Sequence, residues 1–594
     1  MSLLIIVIQL SSSPTAFHPL RSLDLQVEPF LPDPSVTSIE SQVLPRVWSE
    51  HVKLLVEQQC LDGGSSDGGF DPGGTGWCDG RHAAYSLALL IANVGRHWDV
   101  LTEEDSRQVI ARTCRFLLRR QHSDGRLDLA GSYTPNEVGF TLPGLAAGYH
   151  YLASRNGDGT WSEVLGFLEV FLKRGAEAVL AGSAFTANHR WAAACAPLAA
   201  VHQLWPDARY LIKIESYLAD GVDCDIDGCW FEERSPNYSL VANHGLYVMA
   251  DCLGRPEFER IVERNGDFML HMIQPNGEAD SSFSHRQDRG CADRPVLDYS
   301  ILRRLAQTTG KGAYIPLLLD HLQHRSKNIP TSSLVPLLYW IDKNPGPLPD
   351  PKSIPEDYDI RFLQNHALRV RRPSRSLTLT SDSGGHFFTD VRDQWGGIKR
   401  SDEWFHLHAG GVVIASIQLG AYGFAMFQPE TLEVNHSGAS LCSVRDGWEH
   451  TLHFRPGAPQ LHMPWDWTTS VEVEWSKDLS RVQLHFRSAT EHSLVSVLKI
   501  MVRPEATLQE GSGAIQSLSA RQSTWLDGGL PVLLRPSTGG GGGGLKISGL
   551  PAAQHKRDHG FSPSIPSAVP ATCASLLLGL CFPVDFRMEI EVKI

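Results

Sequence analysis

Between about Val43 and Asn344 the apolar residues recur at three- and four-residue steps, the spacing that buries one face of a helix. VWSEHVKLLVEQQ, RHAAYSLALLIANVG, SRQVIARTCRFLLRRQ, WSEVLGFLEVFLKRGAEAVL, WAAACAPLAAVHQLW, ARYLIKIESYLADG, PEFERIVERNGDFMLHMI and LVPLLYWIDK all show it. Turn dipeptides separate these runs: Asp62-Gly63, Asp124-Gly125, Asp158-Gly159, Asp227-Gly228 and Asn276-Gly277. Their spacing is irregular, which excludes a solenoid of fixed period. Helical hairpins with such corners over this length predict an α/α toroid, an incomplete helical barrel. A plain helical bundle without a cleft is the alternative.

From about Asp359 the texture changes. ALRVRR, SLTLTSD, HFFTDV, VVIASIQLG, GFAMFQ, TLHFR, SVEVEWS, RVQLHFRS, SLVSVLKIMV and MEIEVKI are short, β-branched and partly alternating. They predict an antiparallel β-sandwich. The expected fold class is therefore α+β and multidomain. It has a Pro/Ser-rich extension over 1–42, a toroid over 43–344, a Pro-rich linker over 345–358 and a β-sandwich over 359–594. The Gly539–Gly544 run reads as a loop within the last domain.

A chain of 594 residues needs more than one core. Its net charge of -13, with no basic stripe, argues against a nucleic-acid partner. A polyanionic substrate then requires arginines gathered locally. The 11 cysteines form no zinc-like spacing, and their odd number argues against a full disulfide framework. Cys224 and Cys229 are near enough to bridge but read as buried thiols. No stretch reaches the length of a membrane helix. MSLLIIVIQLSSSPTA has an apolar run without a basic start, a weak export signal; the expected location is secreted or periplasmic.

Two polar clusters each open an apolar helix. Asn188-His189-Arg190-Trp191 precedes a small-residue run, with Asn188 or Thr186 as the expected cap. Glu232-Glu233-Arg234-Ser235-Pro236-Asn237-Tyr238 precedes SLVANHGLYVMADCLG; Ser235 reads as N-cap and Pro236 as the first helical residue. That puts Tyr238 in a first turn, where the helix dipole favours negative charge, with Arg234 adding positive potential. Amide, imidazole, guanidinium and phenol together suit removal of a proton from a carbon beside a carboxylate, and so an enzyme of acidic sugars. Trp191 is either core or a wall on which a sugar stacks.

Further candidates for substrate contact are Tyr133, Asn136 and Glu137 before one helix, Arg190 beside Asn188, and Asn243 and His244 beyond Tyr238. Arg286 and Arg289 lie in the locally basic SHRQDR stretch, where arginine forks match carboxylates. In DEWFHLHAGG, Trp404 precedes His406 and His408, which share one side of a strand. That spacing suits a structural divalent metal, or the presentation of one imidazole.

NHRW, DGCWFEERSPNY and, more loosely, FHLHAGG, on this domain order, resemble the heparinase II/III-like polysaccharide lyases of the alginate/chondroitin lyase type. The resemblance spans about residues 43–594. It implies an acidic polysaccharide substrate, β-elimination at a uronate and no required cofactor. Asn188 is then the carboxylate neutraliser, Tyr238 the acid, His189 the base with His408 or Tyr238 itself as the alternative, and Arg234 a charge stabiliser. The chain departs from the pattern after the second histidine, where Ala409-Gly410 replaces an acidic residue; this weakens a metal role and a base role for His408. A glycoside hydrolase using Asp/Glu pairs and a non-catalytic carbohydrate-binding protein are the competing readings.

Overall fold

The computed structural model describes residues 36–593 except 76–77, 97–99, 128–134, 185, 231–233, 283, 285–296, 325–330, 345, 382–403, 422–424, 428, 437, 446–447, 452–459, 464–466, 492–493, 521, 538–542 and 556–572. The N-terminal export segment, Tyr133, Arg286, Arg289 and the HFFTDV strand lie outside these residues. The chain divides into two compact units. The first holds the described residues up to Asp223, Tyr238–Gly266 and Leu297–Ile354. The second holds Cys224–Asn237, Asp267–Val296 and Pro355–Ile594.

The helices are α1 (Val36–Gln58), α2 (Gly80–Asn93), α3 (Glu103–Arg120), α4 (Pro135–Gly139), α5 (Leu142–Ala153) and α6 (Ser162–Ala181). They continue with α7 (Ala196–Leu204), α8 (Ala208–Leu218), α9 (Pro236–Leu253), α10 (Glu257–His271), α11 (Tyr299–Thr309), α12 (Ile315–His324) and α13 (Thr331–Lys343). In the first unit α2, α5 and α7 lie side by side, and α3, α6 and α8 form a second row against them. The sequence explains the layering. In α2 the whole run SLALLIAN is buried, as expected of a helix covered all round. In α3 the apolar stripe of Val109, Ile110, Cys114, Phe116 and Leu117 is buried. Its first turn is acidic and its last basic, which suits the helix dipole, and Thr102 caps it by accepting from Asp105 N at 3.1 Å.

Four of the turns close as small loops on isolated bridges: Gln59 with Phe70, Gln121 with Leu127, Cys224 with Trp230, and Ile273 with Ala279. The glycines of the Asp-Gly and Asn-Gly corners have positive φ, for example 85° at Gly125 and 92° at Gly228. No helix among the described residues is long and apolar enough to cross a membrane.

The strands are β1 (Tyr358–Phe362), β2 (Ala367–Arg372), β3 (Arg375–Thr380), β4 (Phe405–Ala409), β5 (Val412–Ala421), β6 (Ala425–Met426) and β7 (Thr431–Val434). Next come β8 (Gly438–Arg445), β9 (Trp448–Thr451), β10 (Gln460–Met463), β11 (Trp467–Trp475), β12 (Arg481–Ala489), β13 (Leu494–Val502) and β14 (Ala506–Glu510). The last are β15 (Gln516–Ser517), β16 (Ser523–Trp525), β17 (Val532–Pro536), β18 (Gly544–Ser548), β19 (Ala574–Phe582) and β20 (Asp585–Lys593). Gly544 thus begins a strand, where the glycine run alone suggests only loop.

One sheet runs β1-β2-β3-β4-β5-β13-β19-β16, with β6 paired to β5. Another runs β15-β14-β17-β18-β20-β12-β11-β8-β7. Pairing is antiparallel except between β16 and β19. Both sheets feed one apolar cluster, with Leu377, Leu407, Ile417 and Leu498 from the first and Val471, Leu484, Phe486 and Ile590 from the second. In β12 burial alternates along the strand, the mark of one wet face.

The other face of β2–β4 is polar yet buried. Arg369, Thr378 and His406 stand opposite one another across three strands, and Arg371, Ser376 and His408 form the next row. The segment following α10 covers this face. Asp280 accepts from Arg369 Nη1 at 2.7 Å and from the Thr378 hydroxyl at 2.5 Å. Gln274 Oε1 accepts from Ser376 at 2.5 Å and from Arg369 Nη2 at 3.1 Å. Arg503 pairs with Glu278 at 2.7 Å.

The Arg369 and Asp280 side chains are both 0% exposed, so each charge depends on the other. Arg369→Met should destabilise the second unit by about 3–5 kcal/mol, because it strands a buried carboxylate. Denaturant unfolding checks this; Asp280→Leu added to Arg369→Met should recover part of the loss.

Candidate active site

The NHRW run opens a π-helix, His189–Cys195, which leads directly into α7. Its end is fixed by a bond from Ala196 N to Trp191 O, a five-residue step. Such turns are rare and concentrate at functional sites. Close packing from two sides holds it. A Cβ on Gly139, at the end of α4, would stand 1.9 Å from the Ala193 carbonyl oxygen. A Cβ on Gly245, in α9, would stand 2.7 Å from that of Trp191. Only glycine at both positions, facing the alanine run, permits this approach.

Asn188 does not cap. It is already helical, with φ -64° and ψ -39°, and makes no capping bond. Its Oδ1 instead accepts from the Thr186 hydroxyl at 2.7 Å, and Thr186 Oγ1 lies 2.5 Å from His189 Nδ1. A hydroxyl proton donated to Asn188 Oδ1 is matched by the His189 tautomer that carries its proton on Nδ1, with Thr186 Oγ1 as acceptor. In that tautomer Nε2 is the acceptor nitrogen, and the Asn188 NH2 is turned away from Thr186. The Asn188 side chain is buried, whereas His189 is half-buried.

Tyr238 stands in the first turn of α9, with Pro236 at the first helical position as expected. It precedes Gly245 by about 10 Å of helix rise. Residues at this separation share a helix face, so Tyr238 lies on the face of α9 that meets the π-helix.

An aromatic and ionic chain flanks His189. The Phe140 ring is 5.5 Å from the imidazole, and the Arg81 guanidinium lies 4.9 Å from the Phe140 centroid. Arg81 pairs with Glu137 at 3.0 Å. Burial raises the Glu137 carboxyl against the pull of Arg81. Arg190 turns to Asp223, at 3.0 Å, and Trp191 Nε1 donates to the same carboxylate at 3.2 Å. His244 Nε2 meets Asp298 Oδ2 at 2.5 Å, while Asp298 Oδ1 caps α11 through Ile301 N at 2.9 Å. In the sequence Thr186 reads only as a capping alternative, and Arg81, Asp223 and Asp298 carry no local signal. Each acts through a partner distant in sequence or, for Thr186, through a backbone shape that periodicity does not reveal.

Of the expected sugar contacts, Trp191, Trp404 and Asn243 are buried. Trp191 and Trp404 are 0% exposed, the latter among Phe405, Phe427 and Phe486, so neither presents a stacking face. Asn243 is also 0% exposed and donates to Asn265 at 2.8 Å. Asn136 falls at the start of α4. Glu137 and Arg190 are each held in an ion pair.

Arg234, His406 and His408 belong to the second unit. Arg234 is buried, has φ 47° and reaches the Asn365 carbonyl at 3.5 Å. A non-glycine residue in this left-handed region costs about 1–3 kcal/mol, the kind of strain that clusters at active sites. Burial pushes His406 down to about 4 and His408 to about 3, so both rings are neutral at pH 7. Gln274 Nε2 donates to His406 Nδ1 at 3.3 Å. Burial alone would raise the Asp280 carboxyl; His406, Arg369 and the Thr378 hydroxyl together hold it well below the carboxylate range. Cys224 and Cys229 are buried. Among the described residues, no group of three or more His, Cys, Asp or Glu could hold a metal ion.

No family model matches the chain, and no curated protein matches it. Solved structures do. Heparinase III aligns with a TM-score of 0.54 at 10% identity, covering 94% of this chain and 86% of that one. The chondroitin AC lyase of Streptomyces coelicolor A3, in complex with chondroitin sulphate, aligns with a TM-score of 0.50 at 12% identity, covering 93% and 79%. The chain shares the fold of these two structures. The likeness is one of architecture: helices followed by antiparallel-rich sheets.

The Thr186 relay makes a prediction of its own. In protein labelled with 15N-histidine, His189 should show a protonated Nδ1 and an unprotonated Nε2 at neutral pH. Thr186→Val should abolish that preference and Thr186→Ser should keep it. A protonated Nε2 in the native protein would contradict the relay.

Proposed function

We propose that this protein is a polysaccharide lyase that cleaves a uronate-containing glycan by β-elimination. The observation that carries the reading is the Asn188–Thr186–His189 relay at the mouth of a π-helix, packed against the α9 face that bears Tyr238, in a chain with a lyase fold.

The chemistry explains why these groups belong together. Removing the C5 proton of a uronate develops charge on its carboxylate. Donors held against that carboxylate stabilise the enolate-like state more than the ground state. The Asn188 NH2 is the first such donor, and its orientation is set by Thr186. His189 Nε2 is the base at C5. Tyr238 donates a proton to the departing C4 oxygen, which leaves a C4–C5 double bond. His408 is the weaker base, because burial keeps its proton affinity far below what abstraction at neutral pH requires. His244, oriented by Asp298, serves substrate binding. A toroidal helical domain and a β-sandwich over 43–344 and 359–594 complete the proposed architecture.

One carboxylate pair that a hydrolase could use, Asp225 and Asp227, is otherwise occupied. Asp225 accepts from Cys229 N at 3.0 Å and Asp227 from Gln364 N at 2.8 Å, and the Asn365 amide bonds to both. These acids hold a loop.

Incubation with glucuronan, alginate, heparan, chondroitin and ulvan types should give rising ultraviolet absorbance with one of them, from the conjugated double bond. Tyr238→Phe and His189→Ala should abolish the signal. Asn188→Ala should lower kcat by about a hundred- to a thousand-fold, the cost of one transition-state donor. New reducing ends without absorbance would instead establish hydrolysis, and glycan binding without turnover would establish a non-catalytic protein.

A further inference from the structure

Cys60 and Cys78 flank the first Asp-Gly loop, and their sulfurs lie 3.3 Å apart. Both backbones are fixed. Cys60 N donates to Gly69 O at 2.9 Å and its carbonyl accepts from Gly68 N at 2.8 Å, beside the Gln59–Phe70 bridge. Cys78 packs on Gly69 so closely that a Cβ there would stand 2.6 Å from its own. The next residue, Asp79, caps α2 by accepting from His82 N at 2.8 Å. Two sulfurs on anchored backbone need only a small side-chain movement to reach bonding distance, about 2.05 Å. Cys60 is half-buried and Cys78 buried, so a reagent meets Cys60 first.

We propose that Cys60 and Cys78 are a dithiol site that closes to a disulfide by exchange with a small-molecule disulfide such as oxidised glutathione. The Cys60 thiolate attacks one glutathione sulfur, and the first glutathione leaves as a thiol. The Cys78 thiol then loses its proton, attacks the Cys60 sulfur of the mixed disulfide and releases the second glutathione. One disulfide is reduced and one is formed, so electrons and protons balance. Burial, and then the neighbouring Cys60 thiol, push Cys78 up to about 12; the share due to that thiol disappears once Cys60 is in the mixed disulfide. The cross-link anchors the entry to α2, whose Arg81 pairs with Glu137 and lies over Phe140 beside His189.

The test uses the whole chain, equilibrated with oxidised or reduced glutathione, acid-quenched, denatured and alkylated. Alkylated cysteines should number eleven after reduction and fall by two after oxidation. Trypsin leaves both residues in one peptide between Lys53 and Arg81, so cleavage before Asp62, Asp67 and Asp71 is used to separate them. The oxidised sample should then give a single cross-linked product holding Cys60 and Cys78. Oxidation should raise the Tm of the native protein and leave that of Cys60→Ser unchanged; Cys60→Ala serves if the serine variant fails to fold. An unchanged thiol count, a glutathione adduct that stops at Cys60, or linkage of another pair such as Cys224 with Cys229 would each overturn the proposal.

Discussion

The candidate site depends on one close approach of backbones. The π-helix His189–Cys195 lies so near Gly139 and Gly245 that neither position has room for a side chain. Alanines fill the turn itself, and the next bulky residue, Trp191, turns inward to Asp223. Within that confined turn Asn188 is already helical, so its amide is not spent on a helix end. It is available to Thr186, which also bonds the imidazole. The arrangement couples a core constraint to a chemical one: the turn that packs against both glycines also follows directly on the Asn188–Thr186–His189 bonds.

The second unit solves a different problem. Three strands present two rows of polar side chains to a face that is buried. The segment after α10 answers them with Asp280, Gln274 and Glu278. Charges at this depth are tolerated only when paired and hydrogen-bonded. The same burial that requires the pairing also strips His406 and His408 of charge.

Much of this is legible in the chain because it is local. The helices of the first unit follow their apolar steps, and Ser235-Pro236 marks the start of α9. The Asp-Gly corners adopt the left-handed backbone that glycine permits. The strands RVQLHFRS and SLVSVLKIMV are recognisable from composition and alternation. The missing parts are those for which local pattern carries little information. The π-helix has no signature beyond a run of alanines, so Asn188 looks like a cap. β19 is apolar throughout, as a strand covered on both faces must be, and its period is therefore silent. Trp191 reads as either core or a sugar wall, and Trp404 as a substrate contact, because aromatic residues beside polar ones look alike whether they face solvent or core. Pairings such as Arg81 with Glu137, His244 with Asp298 and Cys60 with Cys78 join residues that the fold alone brings together. The division into units is likewise discontinuous, since Cys224–Asn237 and Asp267–Val296 are held by contacts with β strands far along the chain.

The central claim is that a uronate C5–H bond is broken at His189. The direct measurement is turnover of a uronate oligosaccharide carrying deuterium at C5, compared with the unlabelled form, with the product followed by NMR. The account predicts slower turnover of the labelled substrate and an unsaturated product end that has lost the C5 label. Equal rates with the label retained at C5 in a saturated product would contradict it.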